Sequence, residues 1–493
     1  MQRNLAQLQL VLLSGFLFVA LALGYWQFFR QDDLLNRPTN PRIAEEARRV
    51  VRGRIIDRTG LPLAETVSTP EGVGERTYPV PGFGHLVGYH SERFGNSGLE
   101  DRYDEYLRGT RSADPVERTI ASLLHRPTVG SDVMLTVDAR IQQSAVEVLG
   151  AAPGAVVVLD PKTGAILAMA SAPTFDPDQI DERWAALLAD SSRPLVNRAI
   201  QSTYTPGSTF KLITAAAALD LNLVDPHAKF RCTTPIQIDG LQVDCRNHAH
   251  LPNVDFREAF AWSCNRTFAL TGLELGTERL ALADGLRPPF PWQNQLGRSS
   301  QRLEEYAHRF WIGRSVPFDL PVEAGQLKGS SEWYQSLLAQ TSFGQGELAT
   351  TPLQMALAAA TVANGGAVPA PYVASEARAP GGATTTLNRG GGTLGQAIPS
   401  RTVQTLNEMM VLSVDTAWAK PAAIVGTKVG GKTGTAESGV AGSQPHSWFI
   451  GYAPADDPRV AIAVIMEHKG SGTEFATPAA RVVLQRALEV YQR

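Results

Sequence analysis

The sequence predicts an α+β protein held to a membrane by a single helix, and three observations carry that prediction. An uncharged apolar stretch covers residues 5–29, β-branched runs lie at both ends of the region 131–493, and helix-compatible segments fill the space between those ends. Strands at two ends with helices between describe one sheet completed by distant parts of a chain. The expected organisation is an N-terminal tip (1–4), a transmembrane anchor (5–29), a small N-terminal domain (30–130) and a large domain (131–493).

A helix over 5–29 rises roughly 37 Å, enough to cross a hydrocarbon core of about 30 Å. Tyr25 and Trp26 near its end suit an interfacial aromatic belt. Its length, and the lack of a small-x-small site after it, favour an anchor over a cleaved signal peptide. Arg3 on one side and Arg30, Asp32, Asp33 and Arg37 on the other leave its orientation unset. The stretch up to Pro127 is rich in Gly, Arg and turn signals. From Ser131 the elements become regular: a strand over 133–137, a helix over 139–149 with Asp138 as its N-cap, and two β-branched runs (154–160 and 165–170). The turn Pro161-Lys162-Thr163-Gly164 joins those runs as a hairpin. Helical stretches follow over 208–284 and 332–363, then a glycine-rich surface loop over 380–394. Strands over 429–436, 447–452 and 460–468 and a helix over 477–492 close the chain.

A net charge of −3 on 493 residues excludes a nucleic-acid binder, which needs a strongly basic face. Three cysteines are too few for a disulfide scaffold. Cys232 and Cys245 bracket a hairpin that turns at Asp239-Gly240, and three states are open there. One is a disulfide, which outside the cytoplasm would contribute roughly 3 kcal/mol. Another is a pair of thiols. The third is a metal site with His248 and His250, against which the lack of a close C-x-x-C pair speaks.

Chemistry is concentrated in three short motifs: Ser208-Thr209-Phe210-Lys211, Ser263-Cys264-Asn265 and Lys432-Thr433-Gly434-Thr435. Pro206-Gly207 makes a turn, so Ser208 is expected at a helix N-terminus with Lys211 on the same face three residues on. A lysine acts as a base only when its pKa is depressed, and burial and a second cation, Lys432, both push that way. The helix N-terminus favours negative charge at the reacting oxygen. S-x-x-K alone is weak and Ser-Cys-Asn weaker still. K-T-G-T on a strand entered through Gly430-Gly431 is more specific, and the order with the matching helix and strand contexts argues against coincidence.

In this order the motifs are those of penicillin-binding proteins and related lactamases, and the chain resembles the class B, non-polymerising penicillin-binding transpeptidases. The likeness extends to Arg52-Gly53-Arg54-Ile55-Ile56-Asp57-Arg58-Thr59-Gly60, to Arg76-Thr77-Tyr78-Pro79 with His85-Leu86-Val87-Gly88-Tyr89, and to Gly98-Leu99-Glu100 with Tyr103-Asp104 and Leu107-Arg108-Gly109. Further on it includes residues 154–173, Phe343-Gly344-Gln345-Gly346 with Thr351-Pro352-Leu353-Gln354-Met355-Ala356, and Trp448-Phe449-Ile450-Gly451-Tyr452-Ala453-Pro454. It thus spans nearly the whole chain after the anchor. The resemblance implies a β-lactamase-like transpeptidase domain, an antiparallel sheet flanked by helices, above a small pedestal or dimerisation-like domain. It implies that Ser208 attacks a stem peptide ending in D-Ala-D-Ala, that Lys211 takes the serine proton, and that Ser263, helped by Lys432, relays a proton to the leaving D-alanine. Asn265 would bind the peptide amide, the Thr433-Gly434-Thr435 segment the terminal carboxylate, and the backbone N–H groups of Ser208 and Thr435 the oxyanion. It implies acylation by β-lactams, no metal or organic cofactor, a cytoplasmic-membrane location with the catalytic domain outside, and a membrane glycan polymerase as partner.

Other residues have plainer readings. Glu100-Asp101-Arg102 looks like the start of a glycosyltransferase motif, but the histidine and glycine expected after it are missing. Cys264 reads as a packed thiol, Glu437 as a solvated carboxylate at a strand end, Trp448 as sheet core, and Arg52, Asp57 and Glu100 as one internal charge network. A β-lactamase or D,D-carboxypeptidase would use the same serine, but no S-D-N motif with a suitably spaced glutamate supports a lactamase. A non-catalytic penicillin-binding sensor is the remaining alternative, and the intact motifs speak against it.

Overall fold

The computed structural model of the protein describes residues 2–28, 30, 50–68, 74–111, 128–245, 251–283, 292–440 and 442–491. Helix α1 (Gln2–Phe28) carries the apolar stretch, and Gln7–Trp26 is long and apolar enough to span a bilayer, with none of it buried in the protein.

A six-stranded sheet supports the small domain. Its strands are β1 (Ile55–Ile56), β2 (Pro62–Ser68), β3 (Gly74–Thr77), β4 (Asp132–Leu135), and two from far along the chain, β9 (Ala374–Arg378) and β10 (Thr384–Thr386). Their order is β10-β9-β4-β1-β2-β3, with β1 parallel to β4 and the other pairs antiparallel. This sheet straddles the boundary expected at residue 130. Part of the glycine-rich stretch is therefore strand, not loop: Thr384–Thr386 pairs with 376–378 as a fully exposed edge, so it carries no apolar alternation to betray it.

The expected charge network divides in two. Buried Arg52 pairs with Glu100 (2.8 Å) and Asp104 (2.6 Å), and Arg76 pairs with Glu100 (2.6 Å). Asp57 instead accepts the N–H groups of Thr59, Leu61 and Ala139, tying the β1–β2 turn to α2 (Ala139–Leu149). Asp138 caps that helix by accepting from the Arg140 N–H.

The large domain is built on five antiparallel strands in the order β11-β12-β13-β5-β6: β5 (Gly154–Leu159), β6 (Ile166–Ala172), β11 (Gly430–Ala436), β12 (His446–Ala453) and β13 (Val460–Met466). Every residue of β5, β6, β12 and β13 is buried, because helices cover both faces. Helices α2 and α9 (Ala476–Val490) pack Ile141, Leu149, Val483 and Leu484 against Val156, Val158 and Val464. On the other face Ala155, Val157 and Ile465 meet α3 (Lys211–Asp220) and α7 (Pro352–Ala363). Between these lie the hairpin β7 (Ile236–Ile238) and β8 (Leu241–Val243), then α4 (Phe256–Ala261), α5 (Asn265–Glu274), α6 (Gln335–Ser342) and, later, α8 (Ser400–Thr416). The hairpin turns at Asp239 (φ +47) and Gly240 (φ +82), both left-handed as a two-residue turn of this hand requires.

Candidate active site

Each motif is placed by a local feature of its own. Gly207, with φ +57, turns the chain into the 3-10 turn Gly207–Phe210, which runs directly into α3, so Ser208 stands one turn ahead of Lys211. Ser263 closes α4 in a left-handed conformation, φ +62, costing roughly 1 kcal/mol or more for a non-glycine residue. That turn aims its hydroxyl and its carbonyl at the lysine. Lys432 projects from β11 on the face opposite Thr433, since successive strand residues alternate. Gly434 lets the nucleophile turn lie against the strand: a Cβ there would stand 2.9 Å from the Pro206 carbonyl oxygen.

Lys211 Nζ is the hub. It lies 3.0 Å from Ser208 Oγ, 3.0 Å from Ser263 Oγ, 2.9 Å from the Ser263 carbonyl oxygen and 2.6 Å from Asn265 Oδ1. The carbonyl and the amide oxygen can only accept. A neutral amine has two N–H donors for those two acceptors and one lone pair left to accept from a serine hydroxyl, Ser208 or Ser263. With Oδ1 so engaged, the Asn265 amide nitrogen is left for other acceptors.

Burial pushes the Lys211 pKa well below the ordinary lysine value, and the Lys432 charge lowers it further. Burial alone brings Lys432 down to about 7. Both ammonium groups are fully buried, and each faces an aromatic ring: Lys211 Nζ is 5.7 Å from the Phe268 centroid and Lys432 Nζ 5.6 Å from that of Phe260. Lys432 Nζ also donates to the Thr433 carbonyl at 3.2 Å. Phe260 and Phe268 were not singled out from the sequence; their signal is a spacing of three residues before Ser263 and three after Asn265.

Thr433 is buried; Thr435 is exposed and its Oγ1 accepts from the Gly472 N–H at 3.2 Å. Glu437 is exposed and Trp448 is buried in the sheet, its indole N–H donating to the Thr205 carbonyl. Buried Glu100 is held between two arginines, an environment for a structural carboxylate, not a general acid.

Cys245 is bonded to Cys264, with Cα atoms 4.9 Å apart, so Cys264 is not the packed thiol expected and Cys245 is not paired with Cys232. The reason is spatial: the turn at Ser263 brings Cys264 beside Cys245 at the end of the hairpin, while Cys232 Sγ stays 3.1 Å from Cys245 Sγ and 3.7 Å from Cys264 Sγ. The three sulfurs lie within 4.8 Å of one another. Two of them are consumed in the disulfide, and the Arg266 guanidinium lies 3.4 Å from Cys232 Sγ, a cation where a metal would need negative charge. His248 and His250 lie outside the described residues.

Similarity to known proteins agrees with this geometry. Residues 154–485 match the penicillin binding protein transpeptidase domain, and residues 52–133 match the penicillin binding protein A dimerisation domain. The peptidoglycan D,D-transpeptidase PbpA of Mycobacterium tuberculosis is 32% identical over 99% of both chains, and that of Mycolicibacterium smegmatis is 32% identical over 94% of both. The structure of M. tuberculosis penicillin-binding protein A as its ceftriaxone acyl-enzyme superposes with a TM-score of 0.79 at 31% identity, covering 90% of this chain and 99% of that one. The D,D-transpeptidase domain of an Eggerthella lenta peptidoglycan glycosyltransferase gives 0.76 at 31% identity, covering 90% and 99%. With a serine, two buried lysines and a second serine assembled at one sheet edge, and these likenesses over almost all of its length, the chain belongs to the penicillin-binding protein transpeptidase family.

Proposed function

We propose that this chain is a membrane-anchored D,D-transpeptidase that cross-links peptidoglycan stem peptides through an acyl-enzyme on Ser208, and that β-lactams acylate the same serine. The observation that carries the reading is the buried Lys211 Nζ, 3.0 Å from both serine hydroxyls, with its pKa driven down. Relatives named as peptidoglycan D,D-transpeptidases and the ceftriaxone acyl-enzyme of one of them support it.

In this reading Lys211 takes the Ser208 proton as Oγ bonds to the carbonyl carbon of the penultimate D-alanine. The backbone N–H groups of Ser208 and Thr435 receive the oxyanion. The Asn265 amide nitrogen holds the peptide carbonyl, and Thr433, Thr435 and the Lys432 charge hold the terminal carboxylate. Ser263 passes the proton from Lys211 to the leaving nitrogen as the C–N bond breaks and D-alanine departs. An amine from a neighbouring stem peptide then attacks the ester, giving ping-pong kinetics. No cofactor takes part, and the chain cross-links without polymerising glycan. In the same reading the chain is anchored by α1 with its catalytic domain outside the cytoplasmic membrane, where the substrate lies, and the small domain serves as a pedestal that docks a membrane glycan polymerase.

The test is intact-mass analysis of the detergent-solubilised chain with penicillin over hours, beside Ser208→Ala. A persistent adduct on Ser208 that the variant lacks is expected. A transient adduct with released hydrolysed drug would instead make the protein a lactamase, and no adduct would refute a working serine site.

A further inference from the structure

Strand β11 is one of the two edge strands of the large sheet among the described residues. A strand residue's N–H and C=O point to the same side. Gln345 Nε2 donates to the Thr435 carbonyl oxygen at 3.3 Å, so the Thr435 N–H points to the Gln345 side of the strand as well.

The loop that carries Gln345 is fastened independently of that contact. The Gly207 N–H donates to the Gly344 carbonyl at 2.8 Å, and the Gln345 N–H donates to the Gln340 carbonyl at 2.9 Å, at the end of α6. Gly344 has φ +87, and a Cβ on it would lie 1.7 Å from the Gly207 carbonyl oxygen, so backbone meets backbone at the nucleophile turn. A Cβ on Gly207 would in turn stand 2.8 Å from the Thr435 carbonyl oxygen. Nucleophile turn, loop and strand edge therefore converge on one carbonyl, and the half-buried Gln345 side chain reaches it from a rigid base.

We propose that Gln345 is a specificity-determining residue whose carboxamide occupies the Thr435 carbonyl in place of a ligand's backbone N–H, and that an acyl donor must supply such an N–H to displace it. An unpaired carbonyl on an edge strand is the acceptor an extended peptide uses when it adds to a sheet. A ligand with an N–H at that point exchanges one donor for another at little net cost. A ligand without one either leaves Gln345 in place or strips the carbonyl of its donor and loses that hydrogen bond. The inference rests on the acylation reading above.

The experiment measures second-order acylation of the full-length chain in detergent by two ligands. One is benzylpenicillin, which carries an acylamino N–H; the other is penicillanic acid, the same bicyclic core without that group. Gln345→Ala and Gln345→Met are compared with the unaltered chain, the methionine keeping side-chain bulk without a donor. The ratio of benzylpenicillin to penicillanic acid efficiency is expected to rise roughly fivefold in both variants, the worth of one neutral hydrogen bond. A ratio that stays constant, with both rates falling equally, overturns the inference and leaves Gln345 as a loop brace only. An unaltered chain that forms no adduct with either ligand overturns the acylation reading and this inference together.

Discussion

Lys432→Met removes a buried ammonium while keeping the length of the side chain. Lys432 has a folded-state pKa of about 7, against ~10.4 for a lysine in an unfolded chain. Between those values the unfolded chain holds the proton and the folded chain does not, so wild-type stability rises as pH climbs from about 7 to about 10. A difference of about 3.4 pKa units corresponds to a cost of ~4 kcal/mol at pH 7. Against this, methionine forfeits the hydrogen bond to the Thr433 carbonyl and the contact over Phe260, together ~2 kcal/mol. The variant is thus expected to be ~2 kcal/mol more stable at pH 7, a rise of about 3 °C for a domain the size of 131–493. The gain should vanish at about pH 9 and turn into a loss of ~1 kcal/mol by about pH 10, where most of the wild-type penalty has gone. Acylation by penicillin should fall at least ~100-fold, because the Lys432 charge that helps to hold Lys211 neutral is lost. Thermal melts of the full-length chain in detergent at pH 7 and pH 10 decide it. A destabilised variant at pH 7, or the same gain at both pH values, would refute the burial argument.

Four further outcomes rest on the same geometry. Lys211→Met should lower the acylation efficiency by roughly a thousandfold. The wild-type profile should be a bell, rising as Lys211 loses its proton and falling above about 7 as Lys432 becomes neutral; a monotonic rise in stopped-flow acylation would contradict it. Glu100→Gln leaves Arg52 and Arg76 without their shared buried partner, costing ~3–5 kcal/mol, yet penicillin should still label Ser208. Melting curves with intact-mass analysis separate the two effects. Non-reducing peptide mapping should recover Cys245 linked to Cys264, with Cys232 alkylated after denaturation; a Cys232–Cys245 peptide would reverse the assignment.

The helix over 139–149 was legible because its cap is local: Asp138 reaches an N–H two residues away. Of the three C-terminal strands, β13 is legible because burial on both faces demands the unbroken apolar run it displays, and β12 because its centre, Trp448-Phe449-Ile450, is apolar as well. Thr384–Thr386 was not, because an exposed edge strand needs no apolar pattern and is defined by a partner. Charge alone puts Asp57 with Arg52, but its N–H partners at Thr59, Leu61 and Ala139 are a matter of chain path. Gln345 was visible as part of a familiar string, with nothing local to say that it reaches a carbonyl ninety residues on.

What the sequence determined by itself was the inventory of reactive groups and the elements that carry them, since a nucleophile, its lysine and a helix start must be neighbours in the chain. What only the tertiary structure decided was the state of those groups. The Lys211 amine meets Ser263 and Asn265 across more than fifty residues and is buried beside Lys432. Removing water lowers a lysine pKa and a second cation lowers it further, and both depend on packing. The choice of Cys264 over Cys232 has the same origin: three thiols crowd one spot, and the left-handed turn at Ser263 decides which one meets Cys245.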